Sequence, residues 1–129
     1  MTKLINTQST VLHCMKEVAP YSGCSIRDDG TTIKVDCYGG SKTIIKKDSH
    51  KLVITHTKNS NAIKIYRDDN MVGEDIPTTI PYASISQTTI LGAYQTITGT
   101  KNRYWNGTIN KFNVWFRTLT TEEINALLV

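Results

Sequence analysis

One stretch of the 129-residue sequence concentrates residue types that bind sugars. An aromatic face stacks against the C–H groups of a sugar ring, while Asn, Asp and Arg side chains hydrogen-bond its hydroxyls. Positions 94–106 combine such side chains with polar, turn-forming residues, a composition typical of a loop that carries a binding site. The candidate ligand-binding residues are Tyr94, Asn102, Arg103, Tyr104 and Trp105.

Other combinations that could support catalysis fail on spacing. Cys14 stands next to His13, but adjacent residues of a strand point to opposite faces, so adjacency alone does not make a nucleophile–base pair. Gly39-Gly40 lacks the following Lys-Ser or Lys-Thr that completes a phosphate loop. We therefore expect no catalytic residue and no enzymatic activity.

The three cysteines show no metal-binding spacing. Cys14, Cys24 and Cys37 contain no Cys-x-x-Cys pair, and the three histidines complete no zinc-finger pattern. An odd number of cysteines leaves at least one thiol free or paired with another chain. We expect buried thiols, and either a reducing compartment or no dependence on disulfide bonds.

Charge and hydropathy argue against two classes of partner. The formal net charge of +4 is modest, and the basic residues are dispersed apart from Lys46-Lys47. Nucleic-acid-binding proteins concentrate such charge on one face, so we expect no nucleic-acid partner. No run of about 18 apolar residues occurs, which predicts no membrane span. Residues 1–16 lack the continuous apolar core of a secretory signal, so localisation stays open.

Short β-strands must position these residues, because alternating apolar and polar side chains dominate the sequence. Ile33, Val35 and Cys37 alternate with polar residues, and Asp28-Asp29-Gly30 before them is typical of a hairpin turn. Two of the three prolines fall in 73–84, which predicts a loop or an edge segment there. The predicted strands are 10–15, 24–27, 31–37, 43–46, 52–57, 62–67, 71–72, 88–91 and 108–117, the last being the longest.

A single helix is predicted at the end of the sequence. Thr120 and Glu123 have the spacing of a capping box, in which each side chain hydrogen-bonds the other residue's backbone N–H. Ile124, Leu127 and Leu128 form a short apolar stripe on this helix. Short strands with turn signals and one terminal helix predict one domain over residues 1–129, built as an antiparallel sandwich.

The C-terminal part of the sequence also carries motifs of a known family. Trp105-Asn106-Gly107-Thr108-Ile109, an alternating segment, Arg117-x-Leu119 and the capped helix resemble the end of a concanavalin A-like, laminin-G-like jelly roll. Residues 50–73 resemble the central hairpin of that family, and Ile90-Leu91-Gly92 resembles the strand between. The resemblance covers roughly residues 50–128, and residues 9–49 fit the preceding strands more loosely.

The resemblance implies an all-β, antiparallel two-sheet jelly-roll sandwich with one short C-terminal helix, and it places Trp105 at a position that usually packs inward. Further strands usually precede the segment that matches residues 9–16. The domain is therefore expected to be a minimal variant, a piece of a longer polypeptide, or a sandwich completed by another chain. Because unpaired strand edges favour association, we expect self-association or insertion in an assembly.

The resemblance also bears on metals and hydrolysis. Many relatives have acidic residues where this sequence has Asn110 and Lys111, and a lysine cannot ligate calcium. The oxygen atoms of Asp68-Asp69-Asn70 could ligate calcium, but this triplet is more typical of a turn, so we expect no metal and no cofactor. Glycoside hydrolases of the wider superfamily need two carboxylates flanking the bond. The four glutamates lack that spacing: Glu17, Glu74, Glu122 and Glu123.

Two functions remain after these exclusions. The first is a non-catalytic recognition or adhesion module that binds a glycan or a protein surface, for which the aromatic loop argues. The second is a structural component of a virion or cell-surface assembly, such as a phage capsid or tail protein, whose sandwich is completed by neighbouring chains. The fold resemblance suggests an extracellular surface or a virion as the location.

Overall fold

The computed structural model describes residues 9–15, 23–56, 62–68, 70–78, 89–95, 98–115 and 117–129. These residues form short β-strands and one helix, which confirms the all-β prediction. In chain order the elements are β1 (Ser9–Met15), β2 (Gly23–Asp28), β3 (Thr32–Cys37), β4 (Gly40–Ile45), β5 (Leu52–His56), β6 (Ala62–Arg67), β7 (Asn70–Pro77), β8 (Ile90–Leu91), β9 (Tyr94–Gln95), β10 (Lys101–Asn102) and α1 (Thr121–Leu128).

The strands pair into two main sheets and one small ladder. The first sheet has the order β4-β3-β2-β1-β8, the second has the order β5-β6-β7, and β9 pairs with β10. Every pairing is antiparallel, and most join strands that follow one another in sequence. Only the pairing of β8 with β1, at Leu12 and His13, joins described strands that are far apart in sequence. This long-range pairing brings residues 89–95 next to the first strand of the sheet.

Apolar side chains from both sheets meet in one core. On β3, Ile33, Val35 and Cys37 are buried while the residues between them are only half-buried, as their alternation predicts. Because the core draws on strands of both sheets, the sheets pack face to face, and the predicted antiparallel sandwich is confirmed. The other buried members of this cluster are Tyr38, Ile44, Ile63, Ile65 and Ile76.

Turn residues set the register of the first sheet. The Gly30 backbone N–H donates a hydrogen bond to Asp28 Oδ1 at 2.8 Å, and Gly30 has a φ of 94°. This is the hairpin turn predicted between β2 and β3. Tyr38 and Gly39 connect β3 to β4 with φ values of 46° and 82°. Two successive positive φ values define a type I′ turn, whose twist matches that of the paired strands.

The two sheets approach each other closely between β4 and β7. A Cβ atom at Gly40 would overlap the carbonyl oxygen of Pro77 and lie 2.8 Å from Cγ2 of Ile76. Pro77 ends β7, which lies at the edge of the second sheet, a position where proline is tolerated. The predicted loop or edge segment over 73–84 is thus an edge strand as far as Pro77, and residues 79–84 lie outside the described part.

Helix α1 covers the outer face of the second sheet. Its Thr120 cap accepts a hydrogen bond from the Glu123 backbone N–H at 3.2 Å, and the Thr120 N–H donates to Glu123 Oε2 at 2.8 Å. The predicted capping box is therefore confirmed. Ile124 and Leu128 are buried, as the predicted apolar stripe requires. These two side chains and Leu119 form a second cluster, against which Val53, Tyr66 and Leu127 pack.

The predicted strand 108–117 is wrong for the residues that the structure describes. Residues 108–115 pair with no described strand, and the side chains at the apolar positions are partly exposed. An alternating pattern makes a segment able to form a half-buried strand, but a strand also needs a neighbour with free backbone groups. Phe116 lies outside the described residues. The exposed fractions are 37% for Ile109, 44% for Phe112, 61% for Val114 and 42% for Trp115.

The expectation about disulfide bonds is also wrong. Cys24 and Cys37 form a disulfide bond between β2 and β3, with their Cα atoms 4.2 Å apart. The two residues are separated by 13 positions in sequence but are direct cross-strand partners. Cys14 is the free cysteine, as the odd count requires, and it is half-buried. Sequence spacing could not reveal this pair, because the strand register determines which cysteines meet.

Candidate ligand-binding site

The five candidate residues lie in and directly after the β9–β10 ladder. Tyr94 is in β9 and Asn102 is in β10, and the two are cross-strand partners in the register. The chain then continues through Arg103 and Tyr104 to Trp105. The structure thus brings together the residues that the sequence predicted, because a short antiparallel ladder closes the segment between positions 94 and 102.

Three backbone hydrogen bonds attach this loop to the first sheet. The Thr10 N–H donates to the Arg103 carbonyl oxygen at 2.9 Å, and the Trp105 N–H donates to the Gly92 carbonyl oxygen at 2.8 Å. Gly92 in turn donates to the carbonyl oxygen of Val11 at 2.8 Å. The bonds of Thr10 and Val11 occupy the outer edge of β1, and the bond of Trp105 joins the loop to Gly92. The loop therefore rests on a strand of the main sheet rather than extending freely into solvent.

The Tyr94 ring lies against both His13 of β1 and Arg103 of the loop. The ring lies 4.6 Å from the ring of His13, measured between centroids, at a tilt of 56°. The guanidinium carbon of Arg103 lies 4.7 Å from the Tyr94 ring centroid, which is a cation–π distance. His13 is only 4% exposed, so Tyr94 shields it from solvent. Tyr94 is half-buried, and we infer that it positions Arg103 rather than offering an open stacking face.

Arg103 has an unusual backbone conformation. Its φ is 50°, in the left-handed region that residues other than glycine adopt at an energetic cost. Residues held in such a conformation persist only when their surroundings determine it, and they cluster at functional sites. Two contacts hold Arg103 in this conformation: the hydrogen bond from the Thr10 N–H to its carbonyl oxygen, and the packing of its side chain on Tyr94.

Tyr104 is the exposed aromatic residue of the loop, with 69% of its surface accessible. Asn102 and Arg103 before it are also exposed. Together they present a phenol ring, an amide and a guanidinium group, which can stack on an apolar face and hydrogen-bond to nearby oxygen atoms. This is the combination of groups that the sequence analysis associated with sugar binding.

Trp105 anchors the loop instead of joining its exposed surface. The residue is half-buried, and its indole N–H donates a hydrogen bond to Asp28 Oδ2 at 3.1 Å. The same carboxylate contacts Lys46 Nζ at 2.7 Å and accepts the Gly30 N–H described above. Burial raises the pKa of the Asp28 carboxyl, but the hydrogen bonds from Lys46, Gly30 and Trp105 outweigh burial, and the net pKa is lowered.

Sequence reasoning missed the residues that support the loop. The sequence predicts Asp28 as a turn residue, and nothing in it indicates the hydrogen bond to a tryptophan 77 positions away. It predicts Thr10 and His13 only as strand residues. The structure buries both residues, to 1% exposure for Thr10 and 4% for His13, and no pattern in the sequence indicated their contacts with the loop.

A separate open depression of about 540 Å³ lies between the β2–β3 turn and the segment after β4, and it includes none of the five candidates. Its two lysines are engaged, since Lys46 pairs with Asp28 at 2.7 Å and Lys47 pairs with Asp68 at 3.0 Å. This depression therefore offers less binding chemistry than the aromatic loop. It is lined by Gly30, Thr31, Lys46, Lys47 and Asp48.

The described residues contain neither a group of metal ligands nor a membrane-spanning helix. No set of three or more His, Cys, Asp or Glu side chains there is grouped as metal ligands. Within the same part of the chain, no helix has the length and hydropathy that crossing a membrane requires.

Comparison with known proteins identifies one family. A laminin-G family model described as the concanavalin A-like lectin/glucanases superfamily matches residues 18–125. The match covers most of the chain and includes the segment 94–105. Neither the curated proteins nor the solved structures contain a significant match to the chain.

Proposed function

Because the chain belongs to the concanavalin A-like lectin/glucanase superfamily, we propose that it is a non-catalytic recognition and adhesion module that binds a glycan. Membership of the superfamily supports carbohydrate or protein binding in general terms. The proposed glycan-binding surface consists of Asn102, Arg103 and Tyr104, with Tyr94 and Trp105 as its supports.

One observation carries this proposal: a tyrosine that is 69% exposed lies between two residues that are held in place. Arg103 contacts Tyr94 and is bonded through its backbone to Thr10, while Trp105 is bonded to Asp28 and Gly92. Because both neighbours are fixed, the backbone that carries Tyr104 has little conformational entropy to lose on binding, which lowers the cost of association. Rigid aromatic groups are for this reason frequent anchors of binding sites.

The carboxylates argue against hydrolysis at this surface. A glycoside hydrolase needs an acid and a second carboxylate on either side of the bond. Glu74 is instead paired with Lys42 and Arg67, and Glu123 is bound by Arg117 and the helix cap. None of the five surface residues is acidic, so the proposed surface can hold a sugar but has no acid–base pair to cleave it.

The test is a glycan-array screen of the wild-type protein with neutral and acidic glycans, in calcium and in chelator, followed by titration calorimetry on any glycan that binds. We expect Tyr104→Ala to weaken binding roughly 5- to 150-fold, taking as the scale the about 1–3 kcal/mol that a nucleic-acid base gains by stacking on one aromatic ring. Tyr104→Phe keeps the ring and should retain most of the affinity.

A matched control is Trp115→Ala, which removes a different exposed aromatic side chain. It should bind as the wild type does. The proposal fails if folded wild-type protein binds no glycan, or if Tyr104→Ala binds as tightly as the wild type. Loss of binding in chelator would instead overturn the expectation that no metal takes part.

A second candidate function is supported by a different observation. Four large apolar side chains between positions 109 and 115 are partly exposed on a segment that pairs with no described strand. Exposed apolar residues in an extended segment are suited to a protein–protein contact. This favours the alternative of a virion or cell-surface assembly component whose neighbours cover the segment.

Light scattering after size-exclusion chromatography separates this alternative from an isolated binding module. An assembly component should form oligomers at micromolar concentration and lose them in Val114→Glu, which places a charge on the exposed segment. A monomeric wild-type protein at concentrations well above micromolar would count against the assembly function. Glycan binding by Tyr104 would be unaffected by Val114→Glu, so the two functions are tested independently.

A further inference from the structure

The three cysteines form one row across three neighbouring strands. In the register, Cys14 of β1 is the partner of Cys24 of β2, and Cys24 is the partner of Cys37 of β3. Direct cross-strand partners point to the same face of a sheet. All three side chains therefore lie on the core-facing side of the first sheet, although they stand ten and thirteen positions apart in sequence.

Burial is greatest at the Cys37 end of this row. Cys37 is fully buried in the core at 0% exposure, Cys24 is half-buried against the core, and Cys14 is half-buried on β1. The pairing of β8 with β1 covers Leu12 and His13 and does not reach Cys14 among the described residues. The free thiol of Cys14 thus stands at one end of the row, and the fully buried Cys37 of the disulfide stands at the other end.

Backbone hydrogen bonding explains why the disulfide joins this particular pair. The Tyr38 N–H donates to the Gly23 carbonyl oxygen, so the adjacent pair Cys24 and Cys37 does not exchange hydrogen bonds. Such non-hydrogen-bonded pairs bring Cα atoms closest, here to 4.2 Å. In a strand that lies between two others, the N–H and C=O of one residue point toward the same neighbouring strand. Those of Cys24 do not point toward β3, so they point toward β1. Cys14 and Cys24 therefore form a hydrogen-bonded pair, in which the Cα atoms lie farther apart.

We propose that this row is an intramolecular thiol–disulfide exchange site. The Cys14 thiol loses its proton to solvent, and the thiolate attacks Cys24 Sγ. The Cys14–Cys24 bond forms as the Cys24–Cys37 bond breaks, and the electron pair leaves on Cys37 Sγ, which takes up a proton. One disulfide and one thiol are present before and after the step, so no oxidant or reductant is consumed.

The straight row supplies the geometry that this displacement needs. The attacking, central and leaving sulfur atoms of an exchange lie roughly in line, and three paired residues on successive strands lie on one line perpendicular to those strands. Exchange moves the covalent link from β2–β3 to β1–β2. Since β1 holds the candidate binding loop through Thr10 and His13, the exchanged form would tie that strand covalently to the sheet.

The row also makes the exchange selective. Neighbouring strands lie about 4.8 Å apart, so Cys14 and Cys37, on either side of β2, are roughly twice that distance apart. Cysteines whose Cα atoms are more than about 7 Å apart cannot be bridged without backbone movement. The folded protein should therefore form the Cys14–Cys24 link but not a Cys14–Cys37 link, whereas the unfolded chain can form either.

Peptide mapping tests the proposal directly, because trypsin places each cysteine on a different peptide: 4–16, 17–27 and 35–42. Native protein is incubated at mildly alkaline pH, quenched in acid, and its free thiols are blocked with N-ethylmaleimide before digestion and mass spectrometry. We expect two products. In the first, Cys14 is blocked and peptide 17–27 is linked to peptide 35–42. In the second, formed by exchange, Cys37 is blocked and peptide 4–16 is linked to peptide 17–27. The link 4–16 to 35–42 should appear only after incubation in denaturant.

Two variants make the test decisive. Cys14→Ser removes the attacking thiol and should reduce blocking of Cys37 to background. Cys37→Ala leaves two thiols, which oxidised glutathione should join as Cys14–Cys24 in the folded protein. The proposal is overturned if native wild-type protein is blocked at Cys14 alone after prolonged incubation, or if folded Cys37→Ala forms no Cys14–Cys24 link. The wild-type measurement decides the matter even if Cys37→Ala fails to fold.

Discussion

The indole N–H of Trp105 hydrogen-bonds to Asp28 Oδ2 at 3.1 Å across 77 positions of sequence. The same carboxylate accepts the N–H of Gly30 and pairs with Lys46, so one buried side chain joins the end of β2, its turn, the segment after β4 and the aromatic loop. The loop proposed to bind glycans is thus attached to the sandwich through the charge of Asp28.

Asp28→Asn should destabilise the protein by about 1–3 kcal/mol, because it removes the charge from a buried acceptor and leaves its donors poorly satisfied. Urea unfolding measures the change. A double-mutant cycle with Trp105→Phe should show the two effects to be coupled. Asp29→Asn, which alters the neighbouring turn residue, is the control and should leave stability nearly unchanged. Additive effects of Asp28→Asn and Trp105→Phe would contradict the assigned hydrogen bond.

The pKa of Glu123 provides a test in acid. The Arg117 side chain hydrogen-bonds to its carboxylate and the Thr120 N–H adds a second bond, which together lower the pKa from 4.5 to about 2. Because the folded pKa is lowered, the stabilisation is present above pH 4.5 and is lost as the pH falls toward 2. Carboxyl NMR titration should show the low value, and Arg117→Ala should return it toward 4.5. An unchanged pKa in that variant would refute the ion pair.

Gly107→Ala should displace the indole of Trp105. A Cβ atom at position 107 would overlap the Trp105 ring and lie 2.6 Å from Cη2, so the ring must shift. In a Trp115→Phe background, the fluorescence of Trp105 should shift and stability should fall. Gly99→Ala is the control, because its Cβ atom would meet nothing within 4 Å even though its φ of +87° is unfavourable. It should lower stability without moving the emission of Trp105.

Thr10→Val should be neutral or should stabilise the protein by up to about 1 kcal/mol. Thr10 is 1% exposed, and its hydroxyl has no hydrogen-bond partner among the described residues. Valine has the same shape and removes a buried polar group that gains nothing from folding. Thermal or urea unfolding checks this, with Thr43→Val on the exposed side of β4 as the control. A loss of stability greater than that of Thr43→Val would show that the Thr10 hydroxyl is bonded.

Local chemistry explains which elements could be predicted. The Thr120–Glu123 capping box and the turn at Asp28-Asp29-Gly30 depend on residues within four positions of one another, and both are present as predicted. The alternation around Val35 likewise identified the buried face of β3. The five candidate residues lie within twelve positions, and a short ladder with the loop that follows it was enough to bring them together.

Features that depend on distant partners could not be predicted in the same way. The segment 108–115 has the pattern of a strand, but no described strand pairs with it. The disulfide between Cys24 and Cys37 follows from the register of β2 with β3. The attachment of Trp105 to Asp28 follows from the return of residues 89–95 to the edge of β1, a contact that no local pattern indicates.

Short-range backbone preference and side-chain periodicity fix the all-β class, the turns and the capped helix, and they place the residues proposed to bind a ligand close together. The amino-acid sequence is therefore enough to predict these features. Tertiary structure alone decided which strands pair, which cysteines meet and which carboxylate holds the loop. Those contacts join residues far apart in sequence, and their free energy exists only after the chain has closed the loops that bring them together.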